Sequence, residues 1–314
     1  MTTDEILALY DAEMRRDPFD AQGRVERLPH LTRVMMKPPS HHGGWILYTR
    51  LSPETADEAI EAQIADMSRH METAGRGLED GDENFQASSE SSSESSSESS
   101  SESSSESSSE SSSESSSESS FESSFESSFE WKVFDHDTPA DLKQRLIAHG
   151  FEPDEPEALM VLDLEEAPAR LLQPVSADIR RITDPAQLSL VAAVQAQVWE
   201  KPTPGLEDEL AQTLRTHPDL MSIFQAYADD KPVANARICY HPGRRFADLW
   251  GGSTLPAYRG RGIYTDLVAV RSQEARTRGV RFLTVDASPM SRPILEKLGF
   301  RCLVYTTPFV WTKR

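Results

Sequence analysis

Leu255-Pro256-Ala257-Tyr258-Arg259-Gly260-Arg261-Gly262-Ile263-Tyr264 is the stretch from which the chain is best read. Before it, Phe246 to Leu255 has the composition of a strand, with Gly251-Gly252 marking a bulge or a close backbone approach. After it, Ile263, Leu267 and Val270 give one buried face to a helix running from about Gly262 to Arg278. A strand that passes through glycines into a helix N-terminus leaves N–H donors and a partial positive charge facing the space beyond the strand end. Such an end suits an anion, a pyrophosphate for example. Arg259 and Arg261 either add charge-assisted contacts to phosphate or are solvated surface arginines. The loop lacks the Lys-Ser/Thr of a P-loop, and the chain has no GxGxxG.

Outward from this loop, the second half parses into alternating elements. Helical spacing covers Ala186 to Trp199 and Leu206 to Thr216, with Pro202, Pro204 and Gly205 between them and Pro218 after. Met221 to Ala228 and Val233 to Tyr240 read as strands joined by the turn Asp229-Asp230-Lys231-Pro232. Past the central helix come a strand from Arg281 to Asp286, a helix from Ser291 to Leu298 stopped by Gly299, and closing strands through Trp311. The loop and the run Leu295-Glu296-Lys297-Leu298-Gly299-Phe300, in this order of elements, resemble the GNAT superfamily of N-acetyltransferases from about Ala177 to Arg314. Pro256, Arg259, Gly260 and Gly262 match its loop pattern, while Tyr264 stands where the pattern wants a small residue.

The resemblance implies an acetyl-CoA-dependent N-acetyltransferase, in which a primary amine of a small molecule or protein attacks the thioester directly. By the same resemblance, the cofactor is expected to lie against Thr254, Leu255, Arg259, Gly260, Arg261, Gly262, Ile263, Tyr264 and Ser288. The Leu255 N–H is the implied oxyanion donor, and Asp248 takes the place of the family's carboxylate base. Asp248 also reads as a strand-edge carboxylate satisfied by Arg244 or Arg245. Two family positions are changed: Leu295 stands where many members place a proton-donating Tyr, and Ser288 where an Asn is common. These changes keep a second function open, a catalytically silent acyl-CoA-binding or protein-interaction module.

The first half repeats the plan more faintly. Leu31 to Met36 and Trp45 to Leu51 read as strands, and Ser52-Pro53 starts a helix through Ile60, Ile64, Met67 and Met71. Glu130 to Phe134 is a strand, Pro139 to Ala148 a helix, and Leu159 to Leu164 a strand. Gly150-Phe151 follows Asp137 at the same interval as Gly299-Phe300 follows Asp286. The fold expectation is therefore α/β (α+β), two tandem GNAT-like domains at 1–170 and 177–314. Each would hold a mixed, mostly antiparallel sheet flanked by helices, with Glu165 to Asp178 as the linker. In the first copy the loop position reads Thr49-Arg50-Leu51-Ser52-Pro53-Glu54-Thr55, without glycine and with an acid where a pyrophosphate would sit. This copy is expected not to bind the cofactor.

From Ser88 to Ser128 the chain has 41 residues, 29 of them serine and 10 glutamate. Such a tract cannot bury enough apolar surface to offset its ordering entropy, and it reads as a disordered insertion or an acidic functional tract. Without it, the formal net charge falls from −20 to −10. An acidic balance works against phosphate-backbone binding, so nucleic acid is not an expected partner. The acidic start Met1 to Asp11 and the lack of a long apolar run predict a cytoplasmic protein with no membrane partner. Cys239 and Cys302 read as buried free thiols. His41-His42 reads as a polar loop, Asp137 as a helix cap, and no metal site is expected. Trp199 and Trp250 are either core or lining of an acceptor pocket.

Overall fold

Among the described residues, twelve strands join one sheet. The computed structural model describes residues 1–37, 42–82 and 127–313. Its first half contains α1 (Thr3–Tyr10), a π-helical turn (Asp11–Arg16), β1 (Gly23–Arg27), β2 (Leu31–Met36), β3 (His42–Thr49) and α2 (Ala56–Asp82). These are followed by β4 (Ser128–Phe134), α3 (Leu142–Ala148), β5 (Glu152–Pro153), β6 (Glu157–Asp163) and α4 (Ala169–Leu172). The second half contains β7 (Asp178–Ile182), α5 (Leu188–Trp199), α6 (Leu206–Thr216), β8 (Met221–Ala228), β9 (Lys231–Tyr240) and β10 (Phe246–Thr254). It ends with α7 (Ile263–Thr277), β11 (Phe282–Ala287), α8 (Arg292–Lys297) and β12 (Arg301–Thr312).

The strand order is β1-β2-β3-β4-β12-β6-β11-β10-β9-β8-β7, with β5 added to β12. Each half contributes one parallel pair, β3 with β4 and β10 with β11, and the other pairings are antiparallel. The last strand of each half crosses into the other: β12 lies beside β4, β6 lies beside β11, and the two meet in the middle. Sequence order separates the two halves, yet the sheet interlocks them. The expected linker is not a loose tether. Leu171 of α4 is buried, Gln273 donates to the carbonyls of Leu171 and Gln173, and Asp266 receives the N–H groups of Ser176 and Ala177.

One face of the sheet carries α2, α3, α4, α7 and α8. The other carries α1, α5 and α6, with Ile6 and Met14 packed on Val161, Phe246 and Phe282. Residues 88–126 of the serine and glutamate tract lie outside the described residues. Its last two expected members do not belong to an insertion: the Ser127 carbonyl accepts from Lys313 N–H at 2.9 Å, and Ser128 pairs with Thr312 in β4. Deleting 88–126 is expected to raise stability by no more than about 2 kcal/mol in chemical denaturation, because closure entropy varies only with the logarithm of loop length. A loss of stability would show that the tract contributes to the fold.

Candidate active site

The parallel pairing of β10 with β11 has three rungs, Phe246–Phe282, Ala247–Leu283 and Asp248–Thr284, and then stops. Stacked rings of Phe246 and Phe282, 5.0 Å apart, close the base of this pair. Beyond Asp248, β10 stays with β9 and departs from β11, so the sheet splays there. A bulge between Trp250 and Ser253, at Gly251-Gly252, shifts the β9 register. The splay runs toward the turn Pro256–Tyr258 and the N-terminus of α7.

At that N-terminus Gly260 and Gly262 have φ of +73° and +82°, and no side chain caps the first turn of α7. A Cβ at either glycine would meet nothing within 4 Å, so the space in front of the helix is open. The first-turn amides lack intrahelical acceptors by geometry and carry the positive end of the helix dipole. Arg259 Nε donates to the Thr254 carbonyl at 3.1 Å, and the Arg261 guanidinium lies 4.9 Å from the Tyr258 ring centre. Ile263 is buried and anchors the helix. The Tyr264 ring packs 3.3 Å from where a Cβ of Gly252 would stand, so the large residue at this position fills the space left by the bulge. Ser288 follows β11 and accepts at its carbonyl from the Ser291 and Arg292 amides, which opens α8.

Leu255 departs from its expected role. Its N–H donates to the Val233 carbonyl at 3.0 Å, which ties it into the β9 ladder and removes it as an oxyanion donor. Antiparallel strands alternate inward and outward amides. With Leu255 paired to β9, the neighbouring Thr254 N–H faces the splay instead.

Asp248 stands at the mouth of the splay, on the face with α1. His241 Nε2 lies 2.8 Å from its Oδ2, and the Thr284 hydroxyl donates to its Oδ1. The two arginines named from sequence go elsewhere, Arg244 to Asp17 and Arg245 to Glu13. Burial pushes the Asp248 carboxyl up, but His241 and Thr284 outweigh it and hold the group below its ordinary value. For His241, burial acts downward, and Asp248 outweighs it to raise the imidazole.

The His241 contribution to stability is thus full below 6.5 and is lost as pH rises through the raised value. That of Asp248 is present above 3.8 and is lost as pH falls through the depressed value. The melting-temperature deficit of His241→Gln is therefore expected to be greatest between 3.8 and 6.5 and to shrink above that window. A deficit independent of pH would count against the pair.

The corresponding place in the first half is blocked. There β3 and β4 pair from His42–Ser128 to Ile46–Trp131, and a further bridge joins Arg50 to Thr138. Arg15, 1% exposed, fills the gap between them. Its Nε donates to the Leu47 carbonyl at 2.8 Å, its Nη2 to Asp137 at 2.5 Å, and its guanidinium lies 3.6 Å from the Phe134 ring centre. Asp137 therefore does not cap a helix as expected; it accepts from Arg15 and from the Phe134 N–H, while Lys143 and Asp11 occupy Asp135 and His136.

Of the other candidates, His41 lies outside the described residues, and His42 is a strand residue whose imidazole is pushed down to about 4 by burial. Both cysteines are free, and burial pushes the Cys239 thiol up to about 12. Trp250 is 47% exposed on the Asp248 face, and Trp199, at the end of α5, is 57% exposed. Leu295 of α8 is fully buried in the hydrophobic core. Among the described residues no group of His, Cys, Asp and Glu is placed to hold a metal ion, and no helix is long and apolar enough to cross a membrane.

The site is thus an α/β arrangement, a mixed sheet splayed beside a parallel strand pair with a glycine-opened helix at the mouth of the splay. The model of the acetyltransferase (GNAT) family matches residues 189–300, within the second half. No curated protein matches the chain. Among solved structures, it is similar to a GCN5-related N-acetyltransferase from Kribbella flavida, with 11% identity, a TM-score of 0.53, and coverage of 98% of this chain and 93% of that one. A functionally unknown conserved protein from Staphylococcus epidermidis gives 10% identity and a TM-score of 0.56, with coverage of 100% and 98%. At these identities the likeness is one of fold, and it extends over both halves.

Proposed function

We propose that the protein is an acetyl-CoA-dependent N-acetyltransferase that acetylates a primary amine by direct attack. The observation that carries this reading is the splay beyond Asp248 and Thr284, opening onto the uncapped N-terminus of α7. The donor set fits the cosubstrate: first-turn amides of α7, Gly260 and Gly262 without side chains, and Arg259 and Arg261 suit a pyrophosphate. Acetyl-CoA supplies the activated acetyl thioester; the amine nitrogen bonds to its carbonyl carbon, the C–S bond breaks, and the ammonium proton is lost as the thiol gains one.

In this reading Thr254 N–H, rather than Leu255 N–H, donates to the developing oxyanion. Asp248 is held as an anion by His241 and Thr284, which makes it a weak base and a good anchor for an arriving ammonium. The proton then leaves toward solvent through water at its partly exposed edge. The first half acts as a wall of the site: α1 lies over Phe246, and Glu13 and Asp17 hold Arg245 and Arg244 next to the β10 entry. Its own splay, filled by Arg15, takes no cofactor. The protein is read as cytoplasmic, with acetyl-CoA and an amine as its partners.

One observation favours the silent module: the fully buried Leu295 leaves no side-chain hydroxyl at the position where many family members carry their proton donor. Thiol release from acetyl-CoA over a panel of amines separates the readings. Release that depends on an amine is expected. Tight acetyl-CoA binding without release for any amine would favour the module.

A further inference from the structure

The face of the splay that bears Asp248 holds a cation that the transfer chemistry leaves unused. Arg237 on β9 stands opposite Trp250, and Cys239 stands opposite Asp248, so Arg237, Trp250 and Asp248 share one face of adjacent strands. The Arg237 guanidinium folds over the bulge. A Cβ on Gly251, whose φ is +60°, would lie 2.9 Å from Arg237 Nη1 and 3.4 Å from its Cζ. The other cations near this face are paired: Arg244 with Asp17, Arg245 with Glu13, Lys132 with Asp286, and His241 with Asp248. Arg237 makes no ion pair among the described residues.

A second observation lies further along the same face. Gln225, Asn235 and Ser253 form a row across β8, β9 and β10, exposed by 0%, 2% and 1%. Asn235 donates to the Val191 carbonyl of α5 at 3.0 Å. The amide oxygen and nitrogen of Gln225 and the Ser253 hydroxyl find no protein partner among the described residues. A buried polar atom without a partner costs about 1–3 kcal/mol, so such a row calls for a polar occupant.

Building on the acetyl-transfer reading, we propose that Arg237 binds a carboxylate of the acceptor, and that the acceptor is a small amine that also carries a carboxylate, of the amino-acid class. Its ammonium faces Asp248 and the splay, its carboxylate takes the planar fork of Arg237, and its body lies on Trp250. Diagonal neighbours on adjacent strands are about 7–8 Å apart at their Cα atoms, a span that one small molecule bridges between two side chains. Arginine suits this role because its fork accepts a carboxylate in bidentate fashion. Gly251 is required because any side chain there would displace that fork.

The test compares amino acids with their carboxamides, which differ only in the anionic group. In wild type, kcat/KM for thiol release is expected to favour the carboxylate by about tenfold or more, the scale of one charge-assisted contact. Arg237→Gln should bring that ratio to near one, mainly through KM for the acceptor, while Arg237→Lys gives an intermediate ratio. Carboxamides used as well as carboxylates by wild type, an unaltered ratio in Arg237→Gln, or a rise in KM for acetyl-CoA alone would each overturn the proposal. Calorimetric titration of the same compounds, with CoA present, tests the site without turnover. If no amine gives thiol release, the acetyl-transfer reading fails, and the calorimetry alone then decides: carboxylate binding lost in Arg237→Gln upholds the Arg237 site, and equal binding in both proteins refutes it.

Discussion

Gly262→Glu is expected to lower kcat/KM for acetyl-CoA by roughly a hundredfold, about 2.7 kcal/mol, with most of the loss in binding. Two effects add. A carboxylate at the N-cap of α7 competes for the first-turn amides and repels a second anion. The backbone also resists, because φ of +82° is a left-handed conformation that costs a side-chain-bearing residue about 1–2 kcal/mol. Gly262→Asn separates the two, since asparagine tolerates the left-handed region and brings no charge. It should keep the melting temperature near that of the wild type and lose much less activity. The space in front of Gly262 is open, so steric collapse does not compete as an explanation. Thiol release at an unchanged KM for acetyl-CoA in Gly262→Glu would remove the cofactor site from this loop.

Arg15→Met is expected to be the most destabilising single change, by about 3–5 kcal/mol, because it leaves the buried Asp137 carboxylate without its cation. Burial already pushes the Asp137 carboxyl up even with Arg15 beside it. The Leu47 carbonyl also loses a donor, and the Phe134 ring loses the guanidinium over its face. Chemical denaturation measures the effect. Adding Asp137→Asn should recover part of it, because a neutral amide is less costly to bury than an unpaired charge. A loss below about 1 kcal/mol, the range of exposed pairs, would mean that Arg15 is dispensable.

Several elements could be read from their punctuation. The helix Leu206–Thr216 and the strand Met221–Ala228 match expectation to the residue, since Gly205 and Pro218 bracket the helix and apolar residues fill the strand. The helix Thr3–Tyr10 carries a local signal of its own, since Thr2 and Glu5 form a reciprocal capping box. The strands Gly23–Arg27 and Asp178–Ile182 were hidden for a physical reason. They are the two edges of the sheet and carry charges in place of apolar alternation, as edge strands do.

At the site, the loop was legible because glycine spacing is written in sequence. The direction of the Leu255 N–H is not legible in the sequence, because the bulge at Gly251-Gly252 sets which amides face β9, and a one-residue phase difference reverses every direction after it. Arg15 and Arg237 acquire their meaning only from contacts with distant residues, Asp137 in one case and Gly251 on the neighbouring strand in the other. No local pattern marks either.

The crossing of β6 and β12 also bears on what the chain can lose. The two halves each finish the other's part of the sheet: cutting out residues 177–314 would strip β11 of its outer neighbour and leave β12 without either of its own. Such a fragment presents bare hydrogen-bonding edges, which favour aggregation over a smaller working enzyme. The first half, its own cleft filled by an arginine, thus supplies the strands against which β11 and β12 complete their pairing.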